Sequence, residues 1–364
     1  MKVALICRPF SFHGGVETAT AGLLRGLLGA GHTVELISTR RQPDIPGVPV
    51  RRVPVLRHPS VLRLLSFALA ARHVTAGRGY DIVQSHERGL TQDLYRAGEG
   101  SHRAYLEAMG RRVLLDPYHR LVCALEGRIF RLRAARHVVA ISARDRAEIQ
   151  RRYQTDPTRL SVVYNGVDLE RFHPDNRARH RAHTRAALGI PAAAWTVLFV
   201  GSGFERKGLG PLLSAFAHLA GESRLVVAGK GNTRRYEGQA ADLGIDEHVI
   251  WTGPQPAVER LYAAADVVAL PALYEPFGNV HLEALASGLP VLSSAAAGGS
   301  EVIQQGRTGW VVARPETALI AEGLAALHEV PPEGWAQRAR PTVEAFTYAA
   351  QAQGFTDIYR LLRS

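Results

Sequence analysis

The chain has 364 residues, 46% of them hydrophobic, so it is long enough for two domains that each bury a core. Its two cysteines, Cys7 and Cys123, have no CxxC or Cys/His spacing nearby, which suggests neither a disulfide framework nor a structural zinc site and favours a reducing compartment. Residues 1–167 hold 26 Lys and Arg against 13 Asp and Glu, whereas residues 168–364 hold 18 against 20. The basic first half suggests an anionic partner, with an Arg-rich composition as the alternative explanation.

Short apolar runs typical of buried strands alternate with helix-length stretches in the first half of the chain. The predicted strands are Val3–Cys7, Thr33–Thr39, Asp81–His86, His137–Ser142 and Leu160–Asn165. The first run is ended by Arg8-Pro9 and is too short for a signal-peptide core or a membrane span, so we expect a cytoplasmic protein. An amphipathic helix is predicted over Val61–Val74; it either packs on its own sheet, which is commoner, or lies on a membrane surface.

A second series of strands follows the polar stretch from Asp168 to His183. Its members are Thr196–Gly201, Arg224–Gly229, His248–Gly253, Asp266–Pro271, Pro290–Ser294 and Gly309–Ala313. A helical stretch from about Gln337 to Leu362 then closes the chain. These patterns predict an α/β protein with one domain over 1–168, a second over 169–345 and a closing helix over 346–364.

The turn after the first strand carries Gly14 and Gly15, which let the backbone approach a ligand and precede a helix with free N–H groups. A phosphate fits such a turn, although paired glycines often serve the turn alone. The chain has no GxGxxG pattern and no Walker sequence, which disfavours a nicotinamide cofactor and a P-loop nucleotide site.

Two cations, Arg206 and Lys207, lie on a glycine-rich loop after the first strand of the second series. A cation pair at the carboxyl end of a parallel strand is well placed to bind a diphosphate. A solvated surface pair is the alternative.

The most informative segment is EPFGNVHLEALASGLPV, residues 275–291. Glu275 lies in a loop, and a helix starting about Gly278 would bring Asn279 and Glu283 to one face. The N-terminus of this helix would suit an anion, and the two carboxylates would bind two hydroxyl-bearing parts of one ligand, such as a sugar and a ribose.

These motifs together resemble the retaining GT-B glycosyltransferases of family 4 over nearly the whole chain. They are the Gly14-Gly15 turn, Tyr164-Asn165-Gly166-Val167-Asp168, the Arg206-Lys207-Gly208 loop, Glu275 with Glu283, and Gly288-Leu289-Pro290-Val291. The segments YQTDP (153–157) and VGSGFERKG (200–208) are similar to the lipopolysaccharide core glucosyltransferase branch. The resemblance implies two Rossmann-like domains facing each other across a cleft, with the closing helix packed on the first domain.

The resemblance also implies roles for individual residues. Arg206 and Lys207 would bind the donor diphosphate, Glu283 the ribose hydroxyls and Glu275 the transferred sugar. The phosphate and sugar pocket would be completed by the Gly14-Gly15 turn and by the backbone of Phe277, Gly278, Asn279 and Val280. The loops at Gly229 to Asn232 and Gly253 to Gln255 would flank the base.

Two positions depart from the family pattern. Many members have Arg where this chain has Ser202, although the core-glucosyltransferase branch shares the serine. Many also place a histidine after the fourth strand of the first domain to contact the transferred sugar. Glu99 and His102 are the candidates here, and His86 is a rival.

The resulting hypothesis is a hexosyltransferase that moves a sugar from a nucleotide-sugar, with UDP-glucose as first guess, to a cell-envelope glycan or glycolipid such as lipopolysaccharide core. It needs no cofactor, and no metal is expected because the chain lacks an Asp-x-Asp pair. The basic first half suits peripheral contact with an anionic membrane, and nucleic acid is disfavoured by the lack of interleaved aromatics. A nucleotide-sugar epimerase and a non-catalytic sugar-binding protein are the alternatives.

Overall fold

The computed structural model describes residues 1–9, 15–39, 45–113, 116–331 and 333–364, and for 15–18 and 333 it describes the backbone alone. The chain folds as two compact units. Of these residues, the first unit contains 1–9, those from Val16 to Gly166 and Tyr348–Ser364, and the second contains Gly15 and those from Val167 to Thr347.

The first unit is built on a parallel sheet with the strand order β3-β2-β1-β4-β5-β6-β7. The strands are β1 (Lys2–Ile6), β2 (Thr33–Ser38), β3 (Val50–Arg52), β4 (Ile82–Ser85), β5 (Gln92–Arg96), β6 (Ala135–Ala140) and β7 (Leu160–Val162). The helices are α1 (Gly15–Gly29), α2 (Ser60–Thr75), α3 (His102–Ala108), α4 (Pro117–Phe130) and α5 (Ala143–Tyr153). Side chains that precede these helices satisfy their first N–H groups: Ser101 accepts from Ala104 N, and Ser142 accepts from Asp145 N.

The second unit repeats the plan with the order β10-β9-β8-β11-β12-β13, again all parallel. The strands are β8 (Thr196–Val200), β9 (Arg224–Ala228), β10 (Val249–Gly253), β11 (Val267–Leu270), β12 (Val291–Ser294) and β13 (Gly309–Val312). The helices are α6 (Asn176–Ala187), α7 (Leu209–Phe216), α8 (Thr233–Asp242), α9 (Glu259–Ala264), α10 (Val280–Ala286), α11 (Thr317–His328) and α12 (Glu333–Ala339).

Each strand predicted from an apolar run is present, and the described residues contain two further strands that the prediction missed. β3 reads VRR and lies at the edge of its sheet, so only one neighbour and one partly polar face define it. β5 reads QDLYR and is polar at both ends, although Leu94 and Tyr95 are fully buried in the sheet. Short polar strands of this kind form through pairing with neighbours that are distant in sequence, which the local pattern does not show.

The closing helical stretch predicted from Gln337 to Leu362 is wrong as a continuous helix. The chain instead forms α12, a short 3-10 turn at Arg340–Thr342 and then a separate helix, α13 (Tyr348–Arg363). Pro341 lies in the break, where its missing N–H and fixed φ disfavour an α-helix interior. Between the helices, Phe346 O accepts a hydrogen bond from Val167 N at 2.8 Å.

α13 completes the core of the first unit. Its Phe355, Ile358 and Tyr359 are buried against Leu24 of α1 and the strand residue Leu5, among others. The prediction of a helix over Val61–Val74 is confirmed by α2, which buries its Phe67, Ala68 and Ala71 against the other face of the sheet. Within the described parts of the chain, no helix is both long and apolar enough to cross a bilayer.

In each sheet the strand order reverses at one point, between β1 and β4 in the first unit and between β8 and β11 in the second. Loops at the carboxyl ends of parallel strands diverge at such a point and leave a crevice where ligands bind. Arg8 follows β1, Glu87 follows β4, Arg206 follows β8 and Glu275 follows β11. The strand order therefore brings the charged residues of each unit together.

Candidate active site

In the second unit, the two predicted phosphate-binding cations contact the predicted sugar-binding carboxylate directly. Arg206 Nη1 lies 2.8 Å from Glu275 Oε2, and Lys207 Nζ lies 3.1 Å from the same oxygen. The side chains of Arg206, Lys207 and Glu275 are 27%, 10% and 12% exposed, so the group is partly screened from solvent yet reachable.

Backbone contacts hold the two loops of this group together. Arg206 O accepts a hydrogen bond from Leu273 N at 2.9 Å, and Arg206 Nη1 donates to Tyr274 O at 3.0 Å. Gly208 has φ +77°, and a Cβ there would lie 1.9 Å from Pro271 O. Glycine is therefore required where the first loop turns into α7 against the second loop.

Lys207 crosses the start of its own loop, because a Cβ on Gly201 would lie 2.3 Å from Lys207 Cδ. Only a residue without a side chain at position 201 allows the lysine stem to pass so closely. The glycine-rich sequence thus directs the ammonium group toward Glu275.

Burial by itself would raise the pKa of Glu275, but the charges of Lys207 and Arg206 outweigh it and lower the pKa to about 2. The carboxylate is therefore ionised at any physiological pH. The trio carries a net charge of +1, which suits an anionic ligand.

The imidazole ring of His281 packs against the loop from Glu275 to α10. Gly278 has φ +86°, and a Cβ there would lie 2.9 Å from His281 Nδ1 and 3.1 Å from Glu275 Cγ. His281 Nδ1 is 2.7 Å from Gly278 O, and its Nε2 is 2.7 Å from Ser293 Oγ. Burial lowers the pKa of His281 to about 4, so the neutral imidazole donates from Nδ1 to the carbonyl and accepts at Nε2.

α10 begins at Val280 rather than about Gly278, and Glu283 N donates to Asn279 O at 2.9 Å. Asn279 and Glu283 are thus one turn apart, as the spacing predicted. Phe277 is fully buried, and its carbonyl oxygen accepts a hydrogen bond from Gly299 N at 2.7 Å, so neither its ring nor its carbonyl is open to a ligand.

Glu283 is held by Tyr262, whose hydroxyl donates to Glu283 Oε2 at 2.7 Å. Burial raises the pKa of Glu283, and the hydrogen bond from Tyr262 offsets only part of this effect. The pKa of Glu275 is therefore lowered, whereas the pKa of Glu283 is raised.

The remaining loops at this edge of the sheet are also connected. Gly203 N donates to Lys230 O at 2.9 Å, Gly229 N donates to Gly253 O at 2.9 Å, and Ser202 Oγ accepts from Lys230 N at 3.3 Å. Ser202 therefore ties the loop after β8 to the loop after β9, in the position where many family members have an arginine.

In the first unit, Glu99 lies in a chain of ion pairs. Its Oε1 is 2.8 Å from Arg8 Nη2, and its Oε2 is 2.9 Å from Arg88 Nη1. Burial opposes ionisation of Glu99, but Arg8 and Arg88 lower its pKa to about 2. Arg88 also donates at 2.9 Å to Glu126, which is fully buried.

His102 is the first residue of α3 and lies next to this series of ion pairs. Its backbone N donates to Glu126 Oε1 at 2.6 Å, and its Nε2 lies 3.0 Å from His119 Nδ1. Burial and then the charge of Arg88 lower the pKa of His102 to about 4, so its ring is neutral. His86, the rival, is buried with its Nε2 2.8 Å from Gln84 Nε2 and its Nδ1 3.3 Å from Thr20 Oγ1, so both ring nitrogens face the interior.

The sequence reasoning missed Arg8, Arg88, Glu126 and His119. A signal for two of them existed, because Arg8 and Arg88 follow closely on the carboxyl ends of adjacent parallel strands. Glu126 and His119 lie on α4 and carried no such signal. Of the glycine turn, Gly14 lies outside the described residues and Gly15 begins α1.

Over the described ranges, no group of three or more His, Cys, Asp or Glu side chains is arranged to hold a metal ion. That the reaction needs no metal ion stays a prediction from the sequence.

Comparison with known proteins agrees with this architecture. Residues 13–171 match the family model for Glycosyltransferase Family 4, and residues 180–342 match the model for Glycosyl transferases group 1. The chain is 27% identical over 321 residues to lipopolysaccharide glucosyltransferase WaaG of Escherichia coli (strain K12), with 86% of each chain covered. It is 33% identical over 245 residues to D-inositol 3-phosphate glycosyltransferase of Streptomyces scabiei (strain 87.22), which covers 63% of this chain and 54% of that protein.

A solved structure of WaaG, described as a glycosyltransferase involved in lipopolysaccharide biosynthesis, superposes with a TM-score of 0.86 at 26% identity. The superposition covers 98% of this chain and 99% of that chain. The two parallel-sheet Rossmann-like units are therefore those of the GT-B fold, and the chain belongs to the glycosyltransferases, with a family 4 domain followed by a group 1 domain.

Proposed function

We propose that the protein transfers a hexose from a nucleotide-sugar to a cell-envelope glycan or glycolipid. The donor binds the second unit, with Arg206 and Lys207 on its diphosphate, Glu275 on the sugar and Glu283 on the ribose. The backbone from Gly278 to Val280 lines the same pocket.

The observation that carries this proposal is that, in each of the two carboxylates, protein groups contact one oxygen and leave the other open. Oε2 of Glu275 accepts both cations, and Oε2 of Glu283 accepts from Tyr262. The second oxygen of each group, Oε1, has no partner among the described residues. One oxygen fixes the side chain and the other is available for a hydroxyl, which is the arrangement required to bind a sugar and a ribose together.

Charge supports the same conclusion. A sugar that leaves a nucleotide passes through an oxocarbenium-like state while negative charge grows on the departing diphosphate. Lys207 and Arg206 are held in place before the donor arrives, by Glu275 and by the backbone at Tyr274. Preorganised cations of this kind stabilise the growing charge without a metal ion, and the protein needs no other cofactor.

UDP-glucose is the preferred donor and lipopolysaccharide core the preferred acceptor in this proposal. Both choices rest on likeness to the lipopolysaccharide glucosyltransferase WaaG. The inositol phosphate relative favours a phosphorylated acceptor as the alternative. The basic first unit then acts at the cytoplasmic face of an anionic membrane, where Glu99 or His102 contacts the transferred sugar.

The test is calorimetric titration of UDP, GDP and their sugars into the full chain without added metal, wild type beside Glu283→Ala. Micromolar binding of one nucleotide series, lost in the variant, is the expected result. No binding of any nucleotide would refute the donor site. Release of nucleoside diphosphate only when a glycan acceptor is supplied separates transfer from epimerisation, which converts the donor alone, and from binding without turnover.

A further inference from the structure

The first unit contains a cavity of about 820 Å³ at the carboxyl edge of its sheet. Its lining includes residues that follow β1, β2, β3 and β4, so the cavity opens on the side where the strand order reverses. All of its lining residues belong to the first unit, and none of them was assigned a role above except Arg8 with its partner Glu87.

The arginine side chains of the lining differ in whether a carboxylate neutralises their charge. Glu87 is the lining carboxylate, and it is paired with Arg8, whose Nε lies 2.9 Å from Glu87 Oε1. Arg57 and Arg63 also line the cavity and are exposed. Neither guanidinium group has an ion pair or hydrogen bond with any residue in the described part of the chain. Among the residues that the structure describes, these two positive charges at the cavity therefore have no counter-charge.

Part of the lining is apolar. Val53 and Phe67 are 2% and 8% exposed and belong to the core between α2 and the sheet. Val55 and Leu64 continue this surface and are partly exposed. The lining thus combines two guanidinium groups that have no counter-charge among the described residues with a nonpolar surface.

We infer that this cavity binds the acceptor through a phosphate group, with Arg57 and Arg63 on the phosphate oxygens and a nonpolar part of the acceptor against Val55 and Leu64. Guanidinium groups bind phosphate in a bidentate manner, and an unpaired pair of them beside a nonpolar wall matches a phosphorylated amphiphile. The inference rests on the proposed transferase function and adds the chemical class of its acceptor.

The experiment measures binding of three probes to the full chain by calorimetry and ligand-observed NMR: glucose 6-phosphate, n-octyl phosphate and n-octyl glucoside. Octyl phosphate should bind tightest, glucose 6-phosphate more weakly and octyl glucoside least. The double variant Arg57→Gln/Arg63→Gln should weaken both phosphates by at least about tenfold. Val55→Thr, which keeps the side-chain shape, should weaken octyl phosphate and leave glucose 6-phosphate unchanged.

Arg72→Gln/Arg78→Gln is the matched control, since it removes the same charge from exposed positions of the same unit outside the cavity. Equal loss of phosphate binding in both double variants would overturn the inference, because the arginines would then act only through net charge. Equal binding of octyl phosphate and octyl glucoside would also overturn it. If glucose 6-phosphate binds as tightly as octyl phosphate, the phosphate contact with the arginines stands and the nonpolar contact is refuted.

Failure of this inference can be told apart from failure of the proposed function. Nucleotide titration tests residues of the second unit, and the cavity variants leave those residues intact. If nucleotide binds each variant normally while the phosphate probes do not bind even the wild type, the acceptor class alone is wrong.

Discussion

Burial disfavours the ionised form of the Glu283 side chain in the folded protein and so raises its pKa. Its pKa is raised by burial, so the folded protein binds this proton more tightly than the unfolded chain does. Such a group stabilises the fold fully below its ordinary pKa, and the contribution is lost as the pH rises through the raised value. The ionised form of this buried side chain is therefore less compatible with the fold than the protonated form, which is expected of a residue retained for ligand binding.

Glu283→Gln should raise the melting temperature of the ligand-free protein at pH 7.5 and weaken nucleotide binding by roughly tenfold or more. The amide can still accept from the Tyr262 hydroxyl, so packing is preserved. The gain in stability should shrink as the pH is lowered toward the ordinary range of Glu. Calorimetric melting and nucleotide titration measure both effects, with the exposed Glu237→Gln as control. A variant less stable at pH 7.5 but unchanged in affinity would contradict this account.

Lys207 contributes charge at the point where the diphosphate is expected. Lys207→Ala should slow release of nucleoside diphosphate by roughly 10²-fold to 10³-fold, the scale found when a single oxyanion donor is removed. Arg234→Ala removes an exposed cation from α8 and should change the rate by less than about twofold. A Lys207→Ala enzyme within a few-fold of wild type would show that the lysine only pairs with Glu275.

At the scale of elements, the strand-to-helix turns determine where the charged groups lie. The loop before α10 needs a positive φ at Gly278 and has no room for a side chain between His281 and Glu275. The same loop is bonded to the chain after β12, since Gly298 N donates to Glu275 O at 2.8 Å and Gly299 N to Phe277 O at 2.7 Å. A shift of this turn would therefore move the carboxylate and its cations together.

Gly278→Ala should cost about 1–3 kcal/mol of stability and reduce both nucleotide affinity and turnover, because backbone strain and the new Cβ displace Glu275. Gly238→Ala is the matched control: the glycine lies within α8, and a Cβ there meets nothing within 4 Å. That change should be neutral or stabilise by up to about 1 kcal/mol. Denaturant unfolding and nucleotide titration distinguish the two, and equal behaviour of both variants would refute the claim that the turn positions Glu275.

At the scale of the whole molecule, the last segment of the chain belongs to the core of the first unit. Gly26 of α1 allows close approach of α13, since a Cβ there would lie 2.4 Å from Tyr348 O. Phe355 of α13 is fully buried in the same core, whereas Leu361 of the same helix is 61% exposed.

Phe355→Ala should destabilise the first unit by about 3–5 kcal/mol, the usual cost of removing a buried phenyl ring. Leu361→Ala should change stability by less than about 0.5 kcal/mol, since surface changes rarely do more. Differential scanning calorimetry of the full chain measures both, with nucleotide added to identify the transition of the second unit. A small effect of Phe355→Ala would mean that α13 is dispensable for the first unit.

The uneven charge predicts salt-dependent membrane contact. Binding of the full chain to phosphatidylglycerol vesicles should weaken steadily as NaCl rises from about 50 to about 500 mM, because screening shortens the reach of the basic unit. Phosphatidylcholine vesicles are the control and should bind little. Sedimentation of the vesicles measures the bound fraction; tight binding that salt does not change, or no binding at low salt, would contradict peripheral attachment by charge.

The sequence by itself determined the α/β class, the strands of the second unit and the motifs that carry the family likeness. It could do so because buried parallel strands are continuous apolar runs, and because a phosphate site needs glycines beside cations within one loop. The placing of Arg206, Lys207 and Glu275 in one site was predictable, since each follows a strand that the pattern identifies, whereas their direct ion pairs were not predicted.

Only the tertiary structure decided the features that join distant segments. The ion pairs of Glu99 with Arg8 and Arg88 depend on the order of β1, β4 and β5, which local patterns do not encode. The opposite pKa shifts of Glu275 and Glu283 depend on burial and on partner residues from other segments. The cavity of the first unit arises where α2 and the strand ends leave space, and neither its size nor its unpaired arginines can be read from a linear pattern, because both are properties of packing.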